Sequence, residues 1–253
     1  MEFMDAFLSI GRTNGGLPES PTTEAEALAM MDRYAVAEAL VYHTAARDAD
    51  PELGNAALSG LSSPRLHRVW AFDPTAVIAE KPGAFLDRAL SAGVKAVLVN
   101  PLVRGVRVER SPRVLELAEA MAERRIPLLA VYRQWDGGQD LIDWYGLADF
   151  CGRFPELPVI AWEWRARSNR PMFDAMCIAP NLRVSLSAIW QAQMVETICE
   201  SFGAERLVFS LGLPSLDPRS FGAVVAYAGV DQKAKRMIAA ENFRSLLRNA
   251  KYD

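Results

Sequence analysis

Short apolar runs alternate along the chain with longer amphipathic stretches. The apolar runs are rich in Val, Ile, Leu and aromatic residues, and several lack the polar alternation of a half-exposed strand, which is typical of strands buried on both faces of a parallel sheet. They recur about every thirty residues, the length of one βα unit. The eight runs are residues 3–10, 37–42, 66–72, 94–99, 126–132, 157–164, 182–186 and 206–211.

The stretches between these runs carry helix start and stop signals. Thr23 and Glu26 have the spacing of a capping box, Pro82 is placed to open a helix that Gly93 ends, and Pro112 opens another. An amphipathic stretch over residues 231–247 predicts a closing helix at the C-terminus. Eight strands alternating with at least eight helices in about 250 residues predict an α/β fold, a (β/α)8 TIM barrel with an extra C-terminal helix.

An open, doubly wound sheet is the alternative fold. It is disfavoured because no G-x-G-x-x-G follows the first predicted strand, where the glycines have a different spacing. No linker rich in Pro, Gly or Ser divides the chain, so we predict a single domain over residues 1–253.

Composition and charge exclude several classes of partner. Twenty-eight Lys and Arg against 31 Asp and Glu give a net charge of -3, which does not favour nucleic acid. No apolar run approaches the roughly 18 residues of a membrane span, and the acidic N-terminus lacks a signal-peptide pattern. We therefore expect a cytoplasmic protein with no membrane partner. Three scattered cysteines and two histidines also predict no metal and no cofactor.

Polar side chains at the carboxyl ends of the predicted strands are the candidates for chemistry, because TIM barrels place their sites there. His43 follows the second strand and titrates near neutral pH, so it is a candidate acid or base; a structural hydrogen bond is the alternative. Asp73 and Glu163 are candidate carboxylates. Asp73 precedes a proline and could instead form a turn, and strand alternation could turn Glu163 toward the helices.

Arginines dominate the same rim. A guanidinium binds a carboxylate or phosphate through two parallel hydrogen bonds, so this excess predicts a pocket for a small organic anion. Solvated surface arginines are the plainer alternative. The candidate binding residues are Arg12, Asn100, Arg133, Arg165, Arg167 and Asn169.

Four segments resemble the amidohydrolase-related TIM barrels. Residues 5–11 (DAFLSIG) are similar to the family's first strand, D-A-H-x-H-x-G, and residues 158–162 (PVIAW) to its sixth, which ends in histidine. Residues 207–214 (LVFSLGLP) resemble the eighth, F-G-S-D-x-P, and residues 240–247 (AENFRSLL) resemble the closing helix. The resemblance implies the barrel fold and, in the usual family member, metal-assisted hydrolysis.

The same comparison implies that this chain lacks the family's metal ligands. The first-strand histidines fall on Phe7 and Ser9, the sixth-strand histidine on Trp162, and the eighth-strand aspartate on Gly212. The predicted fifth strand has no histidine. The family includes a metal-independent lactonase that acts on a pyrone dicarboxylate, which suits an arginine-rich rim.

Two functional hypotheses follow. The first is a metal-independent hydrolase of a lactone or ester, or a lyase such as a decarboxylase, in which His43 handles the proton and arginines stabilise negative charge. The second is a non-catalytic binding or scaffold protein of the same fold. The resemblance also suggests a homodimer, and the apolar stretch 221–230 is either its interface or the inner face of a helix.

Overall fold

The computed structural model describes residues 1–12, 20–74, 80–132, 142–162, 169–189, 191–212 and 218–253. Eight parallel strands follow one another in chain order around a nearly closed barrel. The Ala6 amide donates to the Phe209 carbonyl at 2.9 Å, which joins the first strand to the segment after the eighth. The predicted TIM barrel is confirmed. The strands are β1 (Phe3–Ile10), β2 (Val36–His43), β3 (Leu66–Ala71), β4 (Ala96–Val99), β5 (Leu128–Val131), β6 (Val159–Trp162), β7 (Leu182–Ser185) and β8 (Leu207–Val208).

Helices between the strands form the outer layer. The predicted signals act as expected: Thr23 Oγ1 accepts from the Glu26 amide at 3.2 Å, Pro82 opens its helix, and Gly93 adopts a positive φ of 78° after that helix. The helices are α1 (Glu24–Arg33), α2 (Thr44–Asp48), α3 (Pro51–Ala57), α4 (Pro82–Ser91), α5 (Pro112–Arg124), α6 (Trp144–Arg153), α7 (Asn169–Ile178), α8 (Met194–Phe202), α9 (Phe221–Tyr227), α10 (Gln232–Arg236) and α11 (Asn242–Asn249).

Strand alternation divides the buried side chains into two sets. Leu40 and Leu98 point into the barrel, whereas Val41 and Val97 pack against the helices. Both sets are apolar because both faces of the sheet are covered. This explains why the strands read as continuous apolar runs in the sequence.

The C-terminal helix closes the amino-terminal end of the barrel. A π-helical turn, Met237–Glu241, links α10 to α11, and Phe243 and Leu246 pack into the same interior cluster as Met4. The buried Asn242 amide donates to the carbonyls of Ala204 at 2.7 Å and Leu207 at 2.8 Å. The resemblance of this segment to a closing helix therefore corresponds to a structural role.

Replacing Asn242 with alanine should lower the free energy of unfolding by about 2 kcal/mol, because two buried carbonyls lose their donor. Urea denaturation measures this change. Asn249→Ala, at an exposed position of the same helix, is the control and should change stability by less than about 0.5 kcal/mol. Equal effects of the two substitutions would contradict the role of Asn242.

Candidate functional site

The carboxyl ends of the strands form one face of the barrel, and alternation decides which side chains enter it. Leu8 and Ile10 pack outward with the helices, so Ser9 between them points inward; Leu98 points inward, so Asn100 does too. Ser9 and Asn100 are both buried. The upper barrel interior therefore contains polar groups from at least two strands.

Three aromatic rings form the floor beneath these groups. Phe7 stacks on Trp162 with ring centroids 3.6 Å apart and 29° between the planes, and it lies 4.4 Å from the ring of Tyr42. Trp162 Nε1 donates to Ser210 Oγ at 3.0 Å. All three rings are fully buried. Phe7 and Trp162, two of the three positions that the motif comparison aligns with family histidines, thus belong to a packed aromatic floor.

Asp5 lies at the seam where the barrel closes. Strand β1 contains one extra residue between the pairs Asp5–Ala39 and Leu8–Val41, a bulge. Asp5 Oδ1 accepts from the Phe7 amide at 3.0 Å and from the Leu211 amide at 3.3 Å. The side chain therefore binds a backbone amide within the bulge and another beyond β8.

Burial raises the pKa of Asp5 to about 6, although hydrogen bonds from the Phe7 and Leu211 amides and from Ser210 act to lower it. Its second oxygen, Oδ2, makes no hydrogen bond of ordinary geometry with a described residue. A charged Asp5 is consequently less stable in the folded protein than in water. Asp5 was not among the predicted site residues, although a lone carboxylate within an apolar strand was the available signal.

His43 ends β2, and its ring is held by the next helix. Nδ1 accepts from the Ala45 amide at 3.2 Å, which caps α2, and burial lowers the pKa of the imidazole. The neutral ring therefore carries its proton on Nε2. Gly11, at a positive φ of 118°, passes so close that a Cβ there would lie 2.9 Å from Nε2. This arrangement favours His43 as a hydrogen-bond donor through Nε2–H over a role as base.

Asp73 follows β3 and lies 3.6 Å from Arg104, measured between Oδ2 and Nη1. Both residues line a cavity of about 540 Å³ at the carboxyl face. Carboxylates outnumber arginines along its walls, so the cavity itself does not suit an anion. Its charged lining consists of Asp50, Glu52, Asp73, Glu80, Arg88 and Arg104.

Asn100 has a donor group that no described residue binds. Its Oδ1 accepts from the Val103 amide at 3.1 Å, which directs the NH2 group away from the loop. Nδ2 is buried and has no hydrogen-bond partner among the described residues, and the same is true of Ser9 Oγ. A buried NH2 group in this state is suited to an acceptor oxygen of a ligand.

Of the remaining candidate residues, the structure describes Arg12 and Asn169. Arg12 is exposed, and its carbonyl accepts from Thr44 Oγ1 at 2.8 Å. Asn169 begins α7, and its Oδ1 accepts from Gln191 Nε2 at 3.4 Å, across to the segment after β7. Four candidates lie outside the described residues: Arg133, Glu163, Arg165 and Arg167.

Arg47 is a buried cation at this face that the sequence analysis did not select. Arg47 is 2% exposed, and its guanidinium carbon lies 5.6 Å from the centroid of the inward-facing Tyr42 ring. Asp48 accepts from Nε at 2.6 Å and from Nη2 at 3.2 Å. Arg104 Nη2 donates to the neighbouring Ala46 carbonyl at 3.4 Å, which links α2 to the loop that follows Asn100.

In the sequence, Arg47 is followed directly by an aspartate in a helical stretch, which looks like a solvated pair. Its position four residues after the end of β2 was the only signal of a site at the barrel mouth. Burial of this pair depends on packing against Tyr42, which the sequence does not show.

Within the described part of the chain, no group of three or more His, Cys, Asp or Glu side chains is arranged to hold a metal ion. The described helices are all too short or too polar to cross a bilayer. No protein-family model matches the sequence, and no curated protein is significantly similar to it.

Solved structures nevertheless share the fold. An uncharacterized TIM-barrel protein from Bordetella bronchiseptica is 16% identical over 98% of this chain and 99% of that chain, with a TM-score of 0.76. A 2,6-dihydroxybenzoate decarboxylase from Rhizobium is 14% identical over 98% and 99%, with a TM-score of 0.72. A candidate 2-pyrone-4,6-dicarboxylic acid hydrolase from Pseudomonas putida is 12% identical over 98% of each chain, with a TM-score of 0.66.

These neighbours include decarboxylases and amidohydrolases, so the resemblance in the motifs leads to the same kind of barrel as the structural comparison. At 12–16% identity the likeness establishes the fold alone.

Proposed function

We propose that the carboxyl-terminal face of this barrel binds a small ring carboxylate without a metal ion and acts on it as a hydrolase or a lyase. The observation that carries the proposal is Asn100, whose buried NH2 group offers two donors at the end of β4. Arg47 adds a buried guanidinium, which α2 holds over Tyr42 and which also donates to Asp48. Donors and a cation at one face favour an anionic oxygen as their partner.

The described residues at the barrel mouth do not fit the metal of the amidohydrolase-related barrels. Phe7 and Trp162, at two of its ligand positions, are stacked on each other and offer no donor atom to a metal. Among the described residues of this region, Ser9 and Ser210 supply hydroxyls and Asp5 supplies a carboxylate. A zinc site takes three or four nitrogen, sulfur or carboxylate ligands, which is more than these described side chains provide.

The nature of the ligand is supported by the names of structural neighbours. They are described as acting on 2,6-dihydroxybenzoate, 5-carboxyvanillate and 2-pyrone-4,6-dicarboxylic acid, which are all carboxylates on a planar ring. We propose a ligand of the same chemical class, a planar ring carboxylate, for this barrel.

In the hydrolytic form of the proposal, Asp73 takes a proton from water, and the water oxygen bonds to the carbonyl carbon of a lactone. The ring C–O bond then breaks, and the leaving oxygen takes up the proton. Asn100 and Arg47 stabilise the negative charge that develops on the carbonyl oxygen, and His43 donates to the ligand through Nε2–H. In the alternative reaction at the same face, the C–C bond to the carboxylate breaks, CO2 leaves, and the ring carbon takes up a proton from water.

The test is calorimetric titration of 2,6-dihydroxybenzoate and 2-pyrone-4,6-dicarboxylate into the protein in EDTA. Asn100→Asp keeps the shape of the side chain but replaces the NH2 donors with an anion. We expect binding of the preferred carboxylate to weaken roughly 10- to 100-fold, the value of a hydrogen bond to a charged group.

Asn249→Asp is the matched control, since it makes the same change at an exposed position at the other end of the barrel. It should leave binding unchanged. Unchanged binding in Asn100→Asp would remove the basis of the proposal. Chromatography of the same mixtures for a ring-opened or decarboxylated product separates an enzyme from the non-catalytic binding protein.

A further inference from the structure

A groove runs along the outer surface between α5 and α6. Its volume is about 760 Å³, and it lies in the helix layer away from the barrel mouth. Leu115, Ala122 and Phe154 give it a partly apolar floor. Apolar surface of this kind is suited to a protein partner when its rim is polar.

One wall of the groove carries three glutamates that pair with no described residue. Glu116, Glu119 and Glu123 are exposed on one face of α5, and none makes a hydrogen bond or ion pair with a described residue. Glu119 and Glu123 are four residues apart, a spacing at which like charges destabilise a helix. The other charged groups are engaged: Glu156 pairs with Arg125, and Arg153 lies 5.6 Å from the Phe154 ring.

The corner between α9 and α10 has the complementary character. Tyr227 is 89% exposed, the highest value among the described large apolar side chains. Lys233 and Arg236 are exposed and have no described partner, while Lys235 Nζ donates to the Ala226 carbonyl at 2.7 Å. No residue of α10 is buried.

We propose that this corner of one copy docks into the α5–α6 groove of a second copy, with Lys233 and Arg236 facing the three glutamates and Tyr227 on the apolar floor. The two surfaces are complementary in charge, since each presents, beside apolar area, charges of one sign that pair with no described residue, and the same chain carries both. The two surfaces are different, so the contact is head-to-tail and continues into a ring or a chain of copies.

Under this proposal, Tyr227 is the residue of the apolar stretch 221–230 that faces a partner, and other residues of the stretch face the core. Phe221 and Val225 are buried in the core, so they form the inner face of α9. Tyr227 is the exposed aromatic residue of this stretch.

Sedimentation velocity over a range of protein concentrations tests the interface. The wild-type protein should exceed its monomer mass of 27.9 kDa at low salt and return toward it at about 0.5 M salt, where charges are screened. Glu116→Lys with Glu119→Lys should weaken association at least about tenfold, and so should Lys233→Glu with Arg236→Glu, because each variant places like charges together.

Mixing the two variants is the decisive arm. Each alone should be monomeric, but the reversed groove of the first complements the reversed corner of the second, so the mixture should assemble. Glu200→Lys with Asp253→Lys changes the net charge by the same amount as the groove variant, but at exposed positions outside both surfaces, and should leave assembly unchanged. A monomeric wild type at every concentration overturns the proposal. Assembly that survives both reversals also overturns it.

Discussion

Replacing Trp162 with alanine should lower the free energy of unfolding by about 4 kcal/mol, which is a large part of the stability of an ordinary domain. Trp162 is fully buried, and its ring stacks on Phe7 at a centroid distance of 3.6 Å. Its loss leaves a cavity in the barrel interior and removes the hydrogen bond to Ser210. Guanidinium denaturation followed by circular dichroism measures the change.

Trp162→Phe separates the two contributions. It keeps a ring on Phe7 but lacks Nε1, so it should cost less than the alanine substitution, while Ser210 Oγ loses its donor. An alanine variant as stable as the wild type would show that the aromatic floor does not support the barrel. That result would also weaken the argument that this space is unsuited to a metal.

The free energy of unfolding of Asp5→Asn, relative to wild type, should be higher at pH 7 than at pH 4. The pKa of Asp5 is raised from 3.8 to about 6 in the folded protein, so between about pH 4 and pH 6 the folded state keeps a proton that the unfolded chain releases. Wild-type stability therefore contains a contribution that falls as pH rises through this window and stays low above it. Asparagine has no proton to lose, so its advantage over aspartate should grow by about 2 kcal/mol between pH 4 and pH 7.

Asp5→Ala provides the contrast. It also removes the charge, but it leaves the Phe7 and Leu211 amides without their acceptor, so it should destabilise the protein at both pH values. Urea denaturation of the three proteins at pH 4 and pH 7 gives all the required differences. A stability difference between Asp5→Asn and wild type that does not change with pH would contradict the raised pKa.

The barrel was predictable from the sequence because several strands are buried on both faces and therefore lack polar alternation. The predicted strand ends were wrong where contacts with other parts of the barrel set the end of a strand. Residues 206–211 read as one strand, but only Leu207–Val208 is strand; Arg206 donates to the Leu182 carbonyl at 2.7 Å, and Phe209 accepts from Ala6 at the seam. Closure of the barrel, which the local pattern does not contain, ends the eighth strand.

The roles of the site residues were harder to predict than the fold, because they depend on contacts between segments that are distant or irregular in the sequence. Placing His43 at a strand end was straightforward, but the bond from Ala45 that fixes its tautomer depends on how α2 begins. Arg47 looks like a surface residue until the Tyr42 ring and Asp48 enclose it. Asn100, in contrast, was selected from its position alone, and the structure adds that its NH2 group has no described partner.

Thermal unfolding of the wild-type protein with small ring carboxylates, in EDTA and again with added zinc, tests metal-free anion binding most directly. A ligand at about a hundred times its dissociation constant adds roughly 2.7 kcal/mol of stability. We predict that at least one ring carboxylate raises the midpoint, and by the same amount in EDTA as with zinc. A rise that requires zinc, or no rise with any carboxylate, would contradict a metal-free anion site at the mouth of this barrel.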